Sequence, residues 1–402
     1  MRHKRNIVAL DMREARLRRK VREHLRSLGF TRTAEGLLAP PALDKPTYRK
    51  LHEPQRLERL EEEAQFLDRV GDGLVTHFAD GADVDVDKIS VRLELIDQGC
   101  WQSDLFRFAA MSWSVPVSYG FGRRMRYLVW DEHSKKLIGL FALGDPVFNL
   151  RARDEWVGWT TDDRSKRLVY MLDGYVIGAV PPYSNILGGK LIASLMRTKE
   201  VVADFRARYG TTKGIISGDA KNAHLVAITT TSALGRSSVY NRVRLGGVSY
   251  LTSLGFTGGF GHFHFPNALF DELRVYLKHK RHAYADSHGF GDGPNWRLRT
   301  IRQALRQLNL DPDLVRHGLS REVFVSSVAD NAIDVLKGIR KRPRYDSLLS
   351  AQDVATLAIA RWLEPRSIRD PSFRAVRRVN ILERVRGTPA VPARLHSRRQ
   401  RA

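Results

Sequence analysis

Five polar groups crowd into ten residues directly after an apolar run. Gly144–Trp159 reads GDPVFNLRARDEWVGW, with Asp145, Asn149, Arg151, Arg153 and Asp154 set among strand-like segments and two tryptophans. Loops at strand ends carry binding and catalytic groups because the strands hold their ends while the loop itself is free to vary. Asp145 and Asp154, with Asp173 further along, are of the type that gathers Mg²⁺ in metal-dependent DNA-processing enzymes, because hard cations take carboxylate oxygens. The same residues have a plainer use, since Arg151, Arg153 and Asp154 also suit ion pairs that brace a turn.

A second constellation lies in Val176–Leu195, VIGAVPPYSNILGGKLIASL. A strand runs into Pro181-Pro182, then Ser184 and Asn185, and Gly188-Gly189-Lys190 fall in the first turns of a predicted helix. Free N–H groups at a helix start favour anions, and glycines let a phosphate approach the backbone. The P-loop spacing is absent, with Leu191 following Lys190. The segment resembles instead the strand, loop and helix that hold coenzyme A in the GNAT acyltransferase fold. A predicted hairpin at 126–143 and a predicted strand at 214–217 fit that resemblance. It implies an acyl-CoA-like cofactor on Ser184, Asn185, Gly188, Gly189 and Lys190. It also implies that Tyr240, on a helix predicted over Ser232–Arg242, protonates a leaving thiolate. Close packing of a helix on a sheet is the other reason for paired glycines.

Cationic residues supply a third group. Gly293–Leu308, GPNWRLRTIRQALRQL, puts Leu298, Ile301, Leu305 and Leu308 on one helical face. Arg297, Arg299, Arg302 and Arg306 accompany that face, as a stripe along a phosphate backbone would, and Trp296 is placed to stack on an unpaired base. Tyr119–Arg126, YGFGRRMR, lacks the third glycine of a dinucleotide fingerprint. Arg124 and Arg126 share one strand face beside Arg123, a spacing suited to phosphate contact. His262 and His264 also share a face, without an evident third metal ligand.

The charge balance agrees with a polyanion partner. The 402 residues carry 67 Lys and Arg against 44 Asp and Glu, a formal net charge of +23. Residues 1–30 hold a net of +7 and residues 366–402 a net of +9, together 16 of the 23 excess charges. Releasing counterions from nucleic acid rewards such a distribution without regard to base sequence. One cysteine, Cys100, forbids an intrachain disulfide and points to the reducing cytoplasm. The apolar run Ile7–Leu10 is too short for a signal peptide, and no window suits a membrane span.

The elements that must position these groups change in character along the chain. Helical periodicity is predicted over residues 12–29 and Tyr48–Phe78. Short strands and turns follow from Ile89 to Tyr250, among them Ser90–Ile96, the hairpin strands Arg126–Trp130 and Leu137–Leu143, and Leu168–Val180. Helices are predicted over Asn185–Met196 and Val201–Tyr209, and two strands within Gly255–Phe265. We expect an α/β (α+β) fold with a central mixed sheet, GNAT-like, between helical N-terminal and C-terminal regions. The expected division is a basic helical region 1–80, an α/β core 81–265, a helical region 266–365 with the Arg-rich helix, and an Arg-rich tail 366–402.

Seven words in order resemble the DruA family: WSVPVSYGFGRRMRYLVWD (113–131), LIGLFALGDPVFNLRARDEWVGW (137–159), GAVPPYSNILGGKL (178–191), GFGHFHF (259–265), GPNWRLR (293–299), HGLSRE (317–322) and RWLEPR (361–366). The resemblance covers roughly residues 15–366. It implies a role in Druantia anti-phage defence beside a large helicase-like partner, and transfers no catalytic residue. Three functions therefore stand. The chain binds nucleic acid, DNA first, with an acyltransferase-like core; or it is a metal-dependent nuclease or transposase-like enzyme using Asp145, Asp154 or Asp173; or it is a non-catalytic adaptor for the helicase.

Overall fold

The computed structural model describes residues 12–34, 38–39, 41, 44–120, 122–211, 222–258, 261–286 and 294–387. In chain order its helices are α1 (Met12–Ser27), α2 (Lys45–Glu62), α3 (Ala64–Val75), α4 (Trp101–Met111), α5 (Arg151–Val157), α6 (Thr161–Arg167), α7 (Gly188–Leu195), α8 (Lys199–Tyr209), α9 (Asn267–His279), α10 (Pro294–Gln307), α11 (Ala332–Lys337), α12 (Ala351–Ala358), α13 (Glu364–Arg369) and α14 (Arg378–Val385). The strands are β1 (Thr31–Arg32), β2 (Leu38–Ala39), β3 (Val91–Leu95), β4 (Arg124–Asp131), β5 (Lys136–Gly144), β6 (Met171–Ala179), β7 (Ala227–Thr231), β8 (Arg244–Leu245), β9 (Val248–Ser249), β10 (Thr252–Phe256) and β11 (Glu322–Ser327). The fold is mixed α/β around a seven-stranded sheet.

Contacts divide the chain into two units, each made of two stretches: Met1–Glu58 with Gly258–Ser320, and Arg59–Thr257 with Arg321–Ala402. The second unit holds the sheet, in the order β10-β11-β7-β6-β5-β4-β3. Every neighbour pair is antiparallel except β6 with β7, which run parallel through Met171, Leu172 and Asp173. The β4–β5 hairpin forms as the polar turn between two apolar runs predicts, with Lys135 at φ +56° in the turn. Asp131 fixes that turn by accepting from the hydroxyls of Ser134 (2.6 Å) and Tyr183 (3.0 Å).

Both faces of the sheet are covered. Met125, Tyr127 and Val129 pack on one side with residues of α7, α8 and α12. Leu128, Trp130 and Leu140 pack on the other with α3, α4 and α14. Strands buried on two faces read as continuous apolar runs, not as alternation. Ala227–Thr231 and Glu322–Ser327 are also buried almost throughout, but as short AITTT and EVFVSS they show neither alternation nor a long apolar run, and no strand is predicted there.

Several expectations need correction. The helix predicted over Tyr48–Phe78 is two helices, α2 and α3, parted at Glu63. The loop predicted after Leu143 contains the helix α5. No helix spans Ser232–Arg242, which forms turns. Ser237 explains why: its hydroxyl accepts from the Tyr240 N–H (3.0 Å) and its carbonyl from the Asn241 amide (2.6 Å). Such local polar bonds compete with a helical ladder. Within Gly255–Phe265 the described residues give the end of β10 and one bridge, His262 to Arg316. The strand predicted at 214–217 lies outside the described residues, as does the tail beyond 387. No helix among the described residues is long and apolar enough to cross a membrane.

Candidate functional site

Three neighbourhoods in the sheet unit contain most of the residues with chemical potential. The first follows β5, where the polar groups are spent on one another. Arg153 is fully buried and donates to Asp154 Oδ1 through Nε (2.9 Å) and Nη2 (2.6 Å). Its remaining donors reach the carbonyls of Val147 (2.7 Å) and Phe148 (2.8 Å). Burial lowers its pKa and Asp154 opposes the shift. Asp154 also accepts from Arg164 at 2.6 Å. Asp145 accepts Arg123 Nε at 2.6 Å and the Arg123 N–H at 3.1 Å. Arg123 spends its other two nitrogens on the carbonyls of Val169 (2.8 Å) and Met171 (3.0 Å). Arg151 is exposed and pairs with Glu155 one turn away. All three guanidinium nitrogens of Arg123 and of Arg153 are thus engaged within the protein. Asp145, Asp154 and Asp173 do not gather, and among the described residues no three His, Cys, Asp or Glu form a metal-binding group.

Asp173 lies half-buried on β6. It accepts from the Thr229 hydroxyl (2.8 Å) across the parallel pairing, and burial pushes its pKa up to about 6. Burial also pushes the Tyr240 phenol up to about 12, where a hydrogen bond with Thr230 lowers it and the Asp173 charge raises it. Tyr240 stacks edge-on against Phe324 at 5.5 Å. The sequence assigned Asp173 and Tyr240 to different chemistries, a metal carboxylate and an acid on a helix, and that helix is absent.

The second neighbourhood is a recess of about 690 Å³ at the start of α7. Of Ser184, Asn185, Gly188, Gly189 and Lys190, Lys190 alone lines it. Ser184 and Asn185 are exposed and bonded to each other at 3.3 Å. The glycines serve close packing: a Cβ on Gly188 would meet the Tyr183 carbonyl at 2.6 Å, and one on Gly189 would meet Val239 at 3.3 Å. Lys190 donates to the carbonyls of Val239 (3.0 Å) and Asn241 (2.6 Å). Burial holds it below its ordinary pKa, with Arg242 and Arg361 adding to the shift.

The third is a recess of about 780 Å³ whose wall includes Arg124, Arg126, Tyr119, Tyr175, Arg208 and Tyr209. Arg124 and Arg126 project from one face of β4, as their spacing predicts. Tyr209 fixes the Arg124 backbone, donating its hydroxyl to the carbonyl and accepting the N–H, each at 2.9 Å. The Arg124 side chain is exposed and has no acceptor among the described residues. Arg126 donates to Ser103 at 3.1 Å and lies over Phe106. Burial raises the Tyr175 phenol, and Arg126 and Arg124 oppose it. Tyr119 is 71% exposed, with the Arg59 guanidinium 4.9 Å from its ring centre.

The other unit contains the Arg-rich helix, α10. Trp296 packs edge-on against Phe270 at 5.5 Å with Arg274 over its ring. Arg297 donates to Asn267 (2.7 Å) and to the Phe265 carbonyl (2.5 Å), and Arg302 to Asp313 (2.9 Å). Arg306 bonds Gln303 at 3.3 Å, and Arg299 is exposed. Only part of the predicted stripe is therefore offered outward.

The family model of Druantia protein DruA matches residues 42–338. The chain belongs to the DruA family. A Druantia protein DruA from Escherichia coli (strain UMEA 4076-1) is 55% identical over 368 residues, which is 92% of this chain and 91% of that protein. No solved structure matches. Membership in the DruA family agrees with the seven sequence words.

Proposed function

We propose that this chain is the nucleic-acid-binding component of a Druantia anti-phage defence system, holding an unpaired stretch of DNA in the recess beside β4. The observation that carries this reading is one wall presenting Arg124 and Arg126 with Tyr119 and Tyr175. Cations that track a backbone and aromatic faces on which bases stack are the two parts that single-strand binding needs. The charge excess supplies long-range attraction, and a helicase-like partner would generate the unpaired strand.

The test is fluorescence anisotropy with single-stranded and duplex oligonucleotides over a salt series. Arg124→Ala should reduce the slope of log affinity against log salt by about one. Tyr119→Ala should weaken single-stranded binding by about 1–3 kcal/mol, as the loss of one stacked base does, and leave duplex binding nearly unchanged. Equal losses on both substrates would refute the unpaired-strand reading. Truncation should begin at 388, because Phe373, Ile381, Leu382 and Val385 are core residues.

A second, enzymatic reading draws support from Asp173, whose pKa of about 6 suits proton transfer near neutral pH. Of the predicted catalytic residues it keeps Tyr240 and, among the three carboxylates, favours Asp173 over Asp145 and Asp154.

A further inference from the structure

The recess beside α7 is assembled from four stretches of chain that no motif connects. Lys190 comes from α7, Arg236 and Arg242 from the turns after β7, Arg361 and Trp362 from the segment after α12, and Glu322 from β11. The backbone is unusual at two of these points. Arg242 sits at φ +59°, a left-handed conformation that side chains other than glycine seldom adopt. Arg361 lies in a π-helical stretch, Ile359–Leu363, ahead of Pro365. Proline has no N–H to continue the α-helical ladder back to the Arg361 carbonyl, so the helix widens there. Single π-turns of this kind recur at functional sites.

Charge is what sets the recess apart. Four cations face one acid, a net of +3. That acid, Glu322, is already committed, accepting from the Ser237 N–H (3.1 Å) and the Ser253 hydroxyl (2.9 Å). Lys190 is fixed by two carbonyls, and the guanidinium groups of Arg236, Arg242 and Arg361 have no acceptor among the described residues. Like charges held together without a counterion repel, a cost that an anionic ligand removes. Elsewhere in this unit arginines such as Arg153 and Arg164 are matched by carboxylates.

We propose that this recess binds the oligophosphate group of a nucleotide. An excess of +3 fits a di- or triphosphate better than a single phosphate ester, and guanidinium forks suit adjacent phosphate oxygens. The volume of about 690 Å³ is typical of small-molecule sites and leaves room for a nucleoside beyond the phosphates. The oligophosphate could belong to a free nucleotide or to the triphosphate end of an RNA strand.

Isothermal titration of the full chain tests this, with tripolyphosphate, ATP, adenosine and a 5′-triphosphorylated oligonucleotide against its 5′-hydroxyl counterpart. Tripolyphosphate and ATP should bind at least tenfold more tightly than adenosine. Arg242→Gln and Arg361→Gln should each weaken tripolyphosphate binding tenfold or more. Tighter binding of ATP than of the triphosphorylated oligonucleotide assigns the site to free nucleotide, and the reverse order assigns it to strand ends. The unliganded Arg361→Gln protein should melt at the same temperature or higher, because repulsion is relieved. Three results would overturn the proposal: no saturable heat with tripolyphosphate at low salt, a lower melting temperature for unliganded Arg361→Gln, or equal weakening by Arg124→Ala in the other recess.

Discussion

Arg123 and Arg124 are neighbours in the chain and opposites in use. Arg123 is turned inward, each of its three nitrogens engaged, clasped by Asp145 and by two carbonyls of the chain entering β6. Arg124 leads into β4 with its backbone fixed by Tyr209 and its guanidinium facing a recess. The same contrast separates the segment after β5, where Arg153, Asp154 and Arg164 neutralise one another, from the wall of Tyr119, Arg124, Arg126 and Tyr175. A cation whose nitrogens are all held by internal acceptors contributes to stability, and one without an acceptor is available to a ligand. Residue type and spacing cannot distinguish the two, because the difference lies in which acceptors the fold brings within about 3 Å.

Mutation can sharpen or break that contrast, and the largest effect should come from Arg153. Arg153→Ala would empty a fully buried site, strip Asp154 of one of its two arginines and free the Val147 and Phe148 carbonyls, lowering stability by about 3–5 kcal/mol in a urea melt. A loss below about 1 kcal/mol would mean that the clasp is not structural. Asp145→Ala should cost less, about 1.5–3 kcal/mol, because the charge-assisted bond it removes is partly exposed. Its effect on DNA affinity, measured at a temperature where the variant remains folded, should be small. A large loss of affinity with no loss of stability would return Asp145 to the functional side.

Asp173 should respond to pH with a definite sign. Its folded pKa of about 6 lies above the ordinary 3.8, so the folded state holds the extra proton between those values. Stability from this group is therefore full below pH 3.8 and declines as pH rises through 6. Asp173→Asn should raise the melting temperature at pH 7.5, and the gain should vanish near pH 3.5. A pH-independent difference would contradict the buried, proton-retaining carboxyl. The smallest effect on stability belongs to Arg124→Ala, within about 0.5 kcal/mol of wild type in the same melt.

Much of the scaffold was legible in the sequence because its signals are local. The β4–β5 hairpin followed from a polar turn between apolar runs, and the pairing of Arg124 with Arg126 on one face followed from their spacing. Strands β7 and β11 gave no such signal, since AITTT and EVFVSS are short, Thr- and Ser-rich and without an adjoining polar turn and partner run. The turns around Ser237 depend on Glu322, 85 residues away, and so a helix was predicted where none forms. The cations of the α7 recess were illegible for the same reason. Arg236, Arg242 and Arg361 share no period or motif and become a group only in the folded chain.

The placement of β11 between β10 and β7 has a consequence for how the protein is made. A ribosome releases β7 and β10 well before the strand that must lie between them. With synthesis at about 5–20 residues per second, the 96 residues from Thr231 to Ser327 impose a delay on the order of 5–20 s. Through that interval β7 has an open edge beside its three-residue parallel pairing with β6. An open strand edge is a template for pairing with another chain. Nascent chains of this protein are therefore most vulnerable to association late in synthesis, just before the strand that seals the sheet emerges.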